Sequence, residues 1–402
     1  MAMTIKEQIF ATLKGEHCSC LPFLPRLDNW YLANKINGTL PDRFKNASLR
    51  ELTDELGFGF HAINPDYLDL RVPDGKKNIG IGIYDINLTP YIVTLENVGM
   101  TVEEETNGYT HVTYDTPKGK LSTRFVYDDG MHKGGISISV ITEHIVKSHK
   151  DFAAIAYILQ NANINPNYEM LADFKKNFIG ERGLTVGLAG VYCSPLHYML
   201  RELMSVDSFY IEMIEYQDEM EEFAAQVQPY FDRTFELAAN SPADAVLCGS
   251  NFDCYVTAPS MYRDYMLPHL QKRSKELEDM GKYLICHTDG ENRGLVDLFA
   301  QSGFHIADSI CPAPMTKCTL AEIREAFDGK TTIWGGVPSI CMLNETVSQY
   351  DFEKYVDDML STIGRGDHLI VSIADTLPPA ADFNRVMHLA KKISEFGPIS
   401  PV

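Results

Sequence analysis

Tyr283-Leu-Ile-Cys-His287 is a short apolar run. It is followed by Thr288-Asp-Gly-Glu-Asn292, a helical stretch at about 293–302, and a second run, His305-Ile-Ala-Asp-Ser309. This unit decides the fold, because the same rhythm repeats on both sides of it. Strands are expected at Thr185–Ala189, Ala245–Gly249, Tyr283–His287, His305–Ser309, Thr332–Gly336 and His368–Ile373. Helices are expected at about 194–204, 216–240, 260–280, 293–302, 319–328, 348–362 and 380–396. Short apolar strands alternating with amphipathic helices indicate a parallel sheet buried on both faces.

Two further strands are expected nearer the N-terminus. A helix at about 5–15 leads into Cys20-Leu-Pro-Phe-Leu-Pro-Arg26. A second helix, opened by Ser48 with Glu51 in the capping-box position and closed at Gly57, leads into Phe58-Gly-Phe-His61. Eight strands of this kind favour a closed (β/α)8 TIM barrel in an α/β chain. A doubly wound dinucleotide fold would need a glycine-rich turn after its first strand, and Leu24-Pro-Arg-Leu-Asp28 supplies none.

Residues from about 79 to 145 differ in texture. Tyr109-Thr-His-Val-Thr-Tyr114 and Lys120-Leu-Ser-Thr-Arg-Phe-Val126 alternate with period two, and Asn107-Gly108 and Lys118-Gly119 mark turns between such runs. An antiparallel β-meander is expected here, as an N-terminal β-rich insertion in a single barrel domain spanning 1–402.

Composition narrows the function. The 402 residues carry 55 acidic and 35 basic side chains, a formal charge of −20. That balance argues against a nucleic-acid or anionic-membrane partner, since both need basic surface. Hydrophobic residues make up 45%, enough for a large core, yet no stretch approaches the ~20 apolar residues of a membrane span. The nine cysteines are scattered, with no C-x-x-C pair. Reduced thiols in the cytoplasm are the simplest expectation.

Reactive groups in such barrels sit just past the carboxyl ends of the strands. The polar residues ending the runs are Arg26 and Asp28, His61, Tyr192 and Ser194, Asn251 and Asp253, His287 with Asp289 and Glu291, Asp308 and Cys311, and Asp375. The densest group is His287, Asp289 and Glu291, which in extended chain project to one side. An imidazole with two carboxylates suits metal ligation or general acid–base work; a solvated loop with a helix cap at Asn292 is the plain alternative. Pro312 and Pro314 stiffen the loop bearing Cys311, which reads equally as a ligand or a small buried residue. Arg26 reads as a carboxylate or phosphate grip with Trp30 and Tyr31 as an aromatic wall, or as a structural ion pair with Asp28. His61 is read as substrate-facing or as a core histidine. Gly335-Gly336 lets the backbone come close to a ligand or to another strand.

The succession His287-Thr-Asp289, Ser302-Gly-Phe-His-Ile-Ala-Asp308, Ile333-Trp-Gly-Gly-Val-Pro338 and Leu369-Ile-Val-Ser-Ile-Ala-Asp375 resembles the C-terminal half of the uroporphyrinogen decarboxylase superfamily. That superfamily includes the methylcobalamin:coenzyme M methyltransferases and is related to cobalamin-independent methionine synthase. The resemblance covers roughly 185–395 and implies a (β/α)8 barrel with its site in the mouth. This chain lacks the repeated-arginine motif of the decarboxylases and has Ala374-Asp375-Thr376 where they carry Gly-His-Gly, so porphyrinogen decarboxylation is not expected. The methyltransferases hold zinc with His-x-Cys and a later cysteine. His287 keeps the histidine, while Asp289 stands in the first cysteine position and Ala374 or Asp375 in the last.

The resemblance therefore implies zinc or another divalent metal on His287 and Asp289 with Asp375, or with Glu291 in its place. It implies a small O-methyl or similar donor as substrate and a methyl-accepting corrinoid on a separate protein. A homodimer is compatible with it. A decarboxylase or lyase acting on a small carboxylated substrate is the alternative, and a non-catalytic binding barrel is the third reading.

Overall fold

A strand covered by helices on one face and by other strands' side chains on the other must divide its residues alternately between the two. The sequence from 184 to 374 does this throughout. A computed structural model of the chain describes residues 3–62, 80–83 and 88–401. Residues 79 and 84–87, part of the expected meander, lie outside that set.

Six strands precede the parallel sheet: β1 (Tyr91–Leu95), β2 (Gly99–Glu104), β3 (Tyr109–Thr116), β4 (Gly119–Val126), β5 (Val140–Glu143) and β6 (Ala162–Pro166). β1 and β6 form an antiparallel pair, and β2 to β5 form a four-stranded antiparallel sheet in sequence order. Asn107 and Gly108 both adopt positive φ between β2 and β3, as an Asn-Gly turn requires.

β7 (Val186–Gly190), β8 (Ala245–Ser250), β9 (Tyr283–His287), β10 (Ile306–Ile310), β11 (Thr332–Pro338) and β12 (Leu369–Ala374) form one six-stranded parallel sheet in sequence order. Backbone hydrogen bonds extend from its edges into the early segments. Val371 N–H donates to Pro22 O and Leu24 N–H to Val371 O, Gly59 N–H donates to Phe23 O, and Phe60 N–H donates to Arg182 O, just ahead of β7. Phe23 and Val371 form a parallel bridge.

The alternation produces two apolar populations. Leu24, Val186, Leu188, Ala245, Leu247, Ile285, Ile306, Trp334 and Ile370 pack into one small cluster with Ile9 of the N-terminal helix Ile5–Leu13. Their chain neighbours Val246, Leu284, Cys286, Ala307, Ile333, Leu369 and Val371 belong to the larger cluster shared with the helices. His287 is two residues past Ile285, Asp308 two past Ile306 and Arg26 two past Leu24. Each continues the parity of the small cluster, one layer nearer the carboxyl ends of the strands.

Several local expectations change. The helix expected at 260–280 is two helices, Pro259–Tyr265 and Leu267–Asp279, meeting at Met266 just before Pro268. The helix expected at 194–204 runs from Pro195 to Tyr198 and continues as a π-helical turn, Met199–Leu203. Helices Asp28–Asn37, Phe152–Gln160 and Val206–Glu215 were not anticipated. Gly335 serves strand packing, since a side-chain carbon there would come within 2.8 Å of the Ile310 carbonyl oxygen. Among the described residues no helix is long and apolar enough to cross a membrane.

Asp244 ties the amino-terminal end of this sheet together. Its carboxylate accepts from Lys6 (2.8 Å), Lys175 (2.7 Å) and the Thr185 backbone N–H (2.9 Å). Burial alone would raise its pKa, but these three donors outweigh burial and hold it below the usual carboxylate range. A depressed folded-state pKa contributes stability above the unfolded value that is lost as pH falls through the folded one. Asp244→Asn is expected to lower unfolding free energy by about 3 kcal/mol at pH 7, as loss of one partner from a largely buried ion pair does. It should also flatten the acid limb of a urea-denaturation pH series below about pH 4, the carboxylate's unfolded pKa.

Candidate active site

The register of β9 on β10 places His287 beside Asp308. Both side chains share the inner parity, so they meet: His287 Nδ1 and Asp308 Oδ2 are 2.6 Å apart. With Nδ1–H donated to Asp308, Nε2 of His287 points away, towards Asp375 Oδ1 at 3.4 Å. Ligand atoms of His287, Asp289 and Asp375 all lie within 4.8 Å of one another. Among the described residues this is the one histidine, cysteine and carboxylate group close enough to hold a metal ion.

Asp375 follows β12 and is fixed from two further sides. Arg26 Nη1 donates to its Oδ1 at 2.5 Å, and Ser309 Oγ donates to the same oxygen at 3.1 Å. Ser309 sits at the β10 bulge with φ of 59°, a left-handed conformation that turns its hydroxyl between Asp308 and Asp375. Arg26 also binds Asp28, through Nε at 3.1 Å and Nη2 at 3.4 Å. Asp28 additionally accepts from Thr376 Oγ1. The guanidinium is thus shared between two carboxylates.

The electrostatics follow from this packing. Burial would raise the Asp375 pKa, but the Arg26 charge and then His287 hold it below the ordinary range. Burial, with the Asp375 charge added, raises Asp289 above it. Burial would lower His287, yet Asp375 and Asp308 together hold the imidazole above its usual value. Asp308 stays well below the carboxylate range because the hydrogen bonds from His287 and His61 outweigh burial.

The other expected site residues separate into three groups. Glu291 does not join His287 and Asp289: its carboxylate accepts the backbone N–H groups of Arg293 (2.9 Å) and Lys317 (3.1 Å), bridging two loops. Gly290, with φ of 114°, packs against Asp253 and turns Glu291 away from the trio. Trp30 is no substrate wall, being 3% exposed and stacked on Phe383 at 4.5 Å. Tyr192 is likewise buried, packed edge-on against Tyr198 and Phe231.

Cys311 is buried, burial together with the Asp289 charge pushes its thiol pKa far up, and it is not among the residues whose ligand atoms converge with His287. Asn251 contributes its backbone N–H, which donates to His287 O at 2.8 Å. His61 turns its Nε2 to Asp308 Oδ1 at 3.2 Å, so it faces the support of the site and not a substrate. Asp308, expected with Cys311 among the strand-end polar residues, lies behind His287 and not among the converging ligand atoms. Ser309 is the site residue that the sequence does not reveal.

The chain belongs to the uroporphyrinogen decarboxylase (URO-D) family, whose model matches residues 130–396. The fold is similar to that of a methyltransferase from Methanosarcina mazei, with a TM-score of 0.56 over 98% of this chain and 99% of that chain at 15% sequence identity. No curated protein matches the chain.

The donor set fits a divalent cation. His287 offers Nε2 because its other nitrogen is held by a carboxylate, a common arrangement around metal-bound histidines. Asp289 and Asp375 bring two oxygen donors whose mutual repulsion a cation would relieve. His287→Ala is expected to abolish tight zinc binding by isothermal titration, whereas Glu291→Ala should leave zinc stoichiometry unchanged. Because the elevated His287 pKa makes a proton compete with the ion, apparent zinc affinity should fall by about tenfold per pH unit below that pKa. Affinity that is flat with pH would show that His287 is not a ligand.

Proposed function

We propose that this chain is a methyltransferase that moves a methyl group from a small O-methyl donor to a corrinoid carried by a partner protein. The observation that carries the reading is the convergence of His287, Asp289 and Asp375, at and past the ends of β9 and β12, with ligand atoms within 4.8 Å of one another. The likeness in fold to a methyltransferase supports it. We also read the parallel sheet as closed into an eight-stranded (β/α)8 barrel through Pro22–Leu24 and Phe58–Phe60, supported by the hydrogen bonds running from β12 through these segments to Arg182. A cytoplasmic location fits nine free cysteines.

Removing a methyl group from an ether oxygen leaves an alkoxide or phenoxide, a poor leaving group at neutral pH. Zinc or a similar divalent ion, when bound, supplies a Lewis acid for that oxygen. His287, Asp289 and Asp375 would hold it. Asp308 fixes the His287 ring so that Nε2 faces the site, and Arg26 with Ser309 fixes the Asp375 carboxylate. Asp289, raised in pKa by burial and by Asp375, also permits a metal-free route in which it donates its proton to the departing oxygen.

The second reading is a decarboxylase or lyase on a small carboxylated substrate, favoured by the presence of Arg26 beside the site. Against it, the Arg26 guanidinium already holds Asp28 and Asp375. The test is incubation of zinc-supplemented protein with Co(I) cobalamin and a panel of aliphatic and aryl methyl ethers, followed by absorbance for methylcobalamin. Methyl transfer that His287→Ala abolishes is the expected result. Transfer by a protein that binds no metal would leave the acid route through Asp289. Failure with every donor would move the assignment to the lyase.

A further inference from the structure

Asp308 is held by two histidines, and only one of them faces the candidate ligands. His287 Nδ1 lies 2.6 Å from Oδ2 and His61 Nε2 lies 3.2 Å from Oδ1, while Ser309 Oγ adds 3.2 Å to Oδ2. The carboxylate is 1% exposed and the His61 side chain 2%. His61 therefore has no surface for a substrate. Its ring stands edge-on to Trp334 with centroids 4.7 Å apart, and Nδ1 is buried with no hydrogen-bond partner among the described residues.

A buried imidazole nitrogen without a partner has a cost. The alternative orientation, with Nδ1 towards Asp308, would leave Nε2 unpartnered instead, so the orphan by itself is not informative. What is informative is that one ring nitrogen is spent wholly on Asp308. Both Asp308 oxygens are thereby occupied by N–H donors. A carboxylate gripped at one oxygen can rotate about its side-chain torsion and release its partner; one gripped at both cannot do so without breaking a buried hydrogen bond.

We propose that His61 is a positioning residue for the site: by pinning Asp308 it keeps His287 in the Nδ1–H tautomer with Nε2 presented to Asp289 and Asp375. The proposal rests on the metal reading of those three residues but not on the nature of the methyl donor or acceptor. It has a consequence for the chain as a whole. His61 belongs to the segment Phe58–His61, which joins the parallel sheet through Gly59 and Phe60 and lies outside residues 130–396 matched by the family model. The candidate ligands all come from the family-matched part and are then held in place, through Asp308, by an imidazole from the N-terminal part.

The test uses the full-length metal-free protein labelled with 15N-histidine, at a pH alkaline enough for the His287 ring to be neutral. Long-range 1H–15N spectra report which His287 nitrogen carries the proton, and cobalt(II) titration followed by d–d absorption reports ligand geometry and affinity. In wild type, His287 should be Nδ1–H. In His61→Ala it should become a mixture of tautomers, and cobalt(II) affinity should fall by about tenfold, the lower end of the 10–100-fold range for partners behind a metal ligand. His61→Gln, whose amide can still donate to Asp308, should restore most of both.

Thermal unfolding of each variant separates loss of positioning from loss of fold, and His61→Gln carries the test if His61→Ala does not fold. Unchanged tautomer and unchanged cobalt(II) affinity in His61→Ala would overturn the proposal, as would failure of His61→Gln to rescue a folded protein. A wild-type protein that binds no cobalt(II) would instead refute the metal reading, and the tautomer measurement would still judge the role of His61.

Discussion

A strand cannot point two successive side chains the same way, and this constraint organises the molecule. On β9 and β10 it sends Ile285 and Ile306 into the small inner cluster and Cys286 and Ala307 into the helix layer. Two residues on, the same parity commits His287 and Asp308 to the inner side, and the parallel register makes them neighbours. The site is therefore a continuation of the apolar interior, the layer at which hydrocarbon gives way to titratable groups. A one-residue slip of β10 would turn Asp308 into the helix layer and leave His287 Nδ1 without its acceptor.

Low local dielectric then sets the character of that layer. Asp28, Asp289, Asp308 and Asp375 crowd around Arg26, His61 and His287; Asp28, Asp308 and Asp375 each accept from a charged or imidazole side chain, whereas burial and the Asp375 charge raise the Asp289 pKa despite the Gly290 backbone N–H. The arrangement suits a cation as the missing partner, as buried carboxylates in proximity need a counter-charge or a proton. It does not suit a second carboxylate from a substrate, because the nearby guanidinium is already engaged on both sides.

What could be read from the sequence and what could not divide along the same line. Strand and helix periodicity located β7 to β12 within a residue or two, and the capping pair Ser48 and Glu51 appears as expected, with Glu51 closing back on the Ser48 backbone. His287, Asp289 and Asp375 could be singled out because each ends an apolar run. Glu291 misled because its spacing assumed extended chain, whereas Gly290 bends the loop and sends the carboxylate to the amides of Arg293 and Lys317. Trp30 and Tyr192 misled because proximity in sequence to a strand end says nothing about which way a helix or loop then turns; both rings face the core. The link from His61 to Asp308 spans 247 positions, and no local pattern encodes a contact of that kind.

Ile9, from the N-terminal helix, packs into the inner cluster at the end where the strands begin. Among the described residues, apolar side chains thus fill the interior below His287, so in the closed barrel proposed above the site opens at the carboxyl ends of the strands. Such a cul-de-sac has one doorway for everything. Whatever reacts at His287 and whatever leaves must share it, so two reactants too bulky to stand in it together have to take turns, and a product slow to depart bars its successor. Order of arrival becomes a property of the architecture, independent of how strongly either molecule is held.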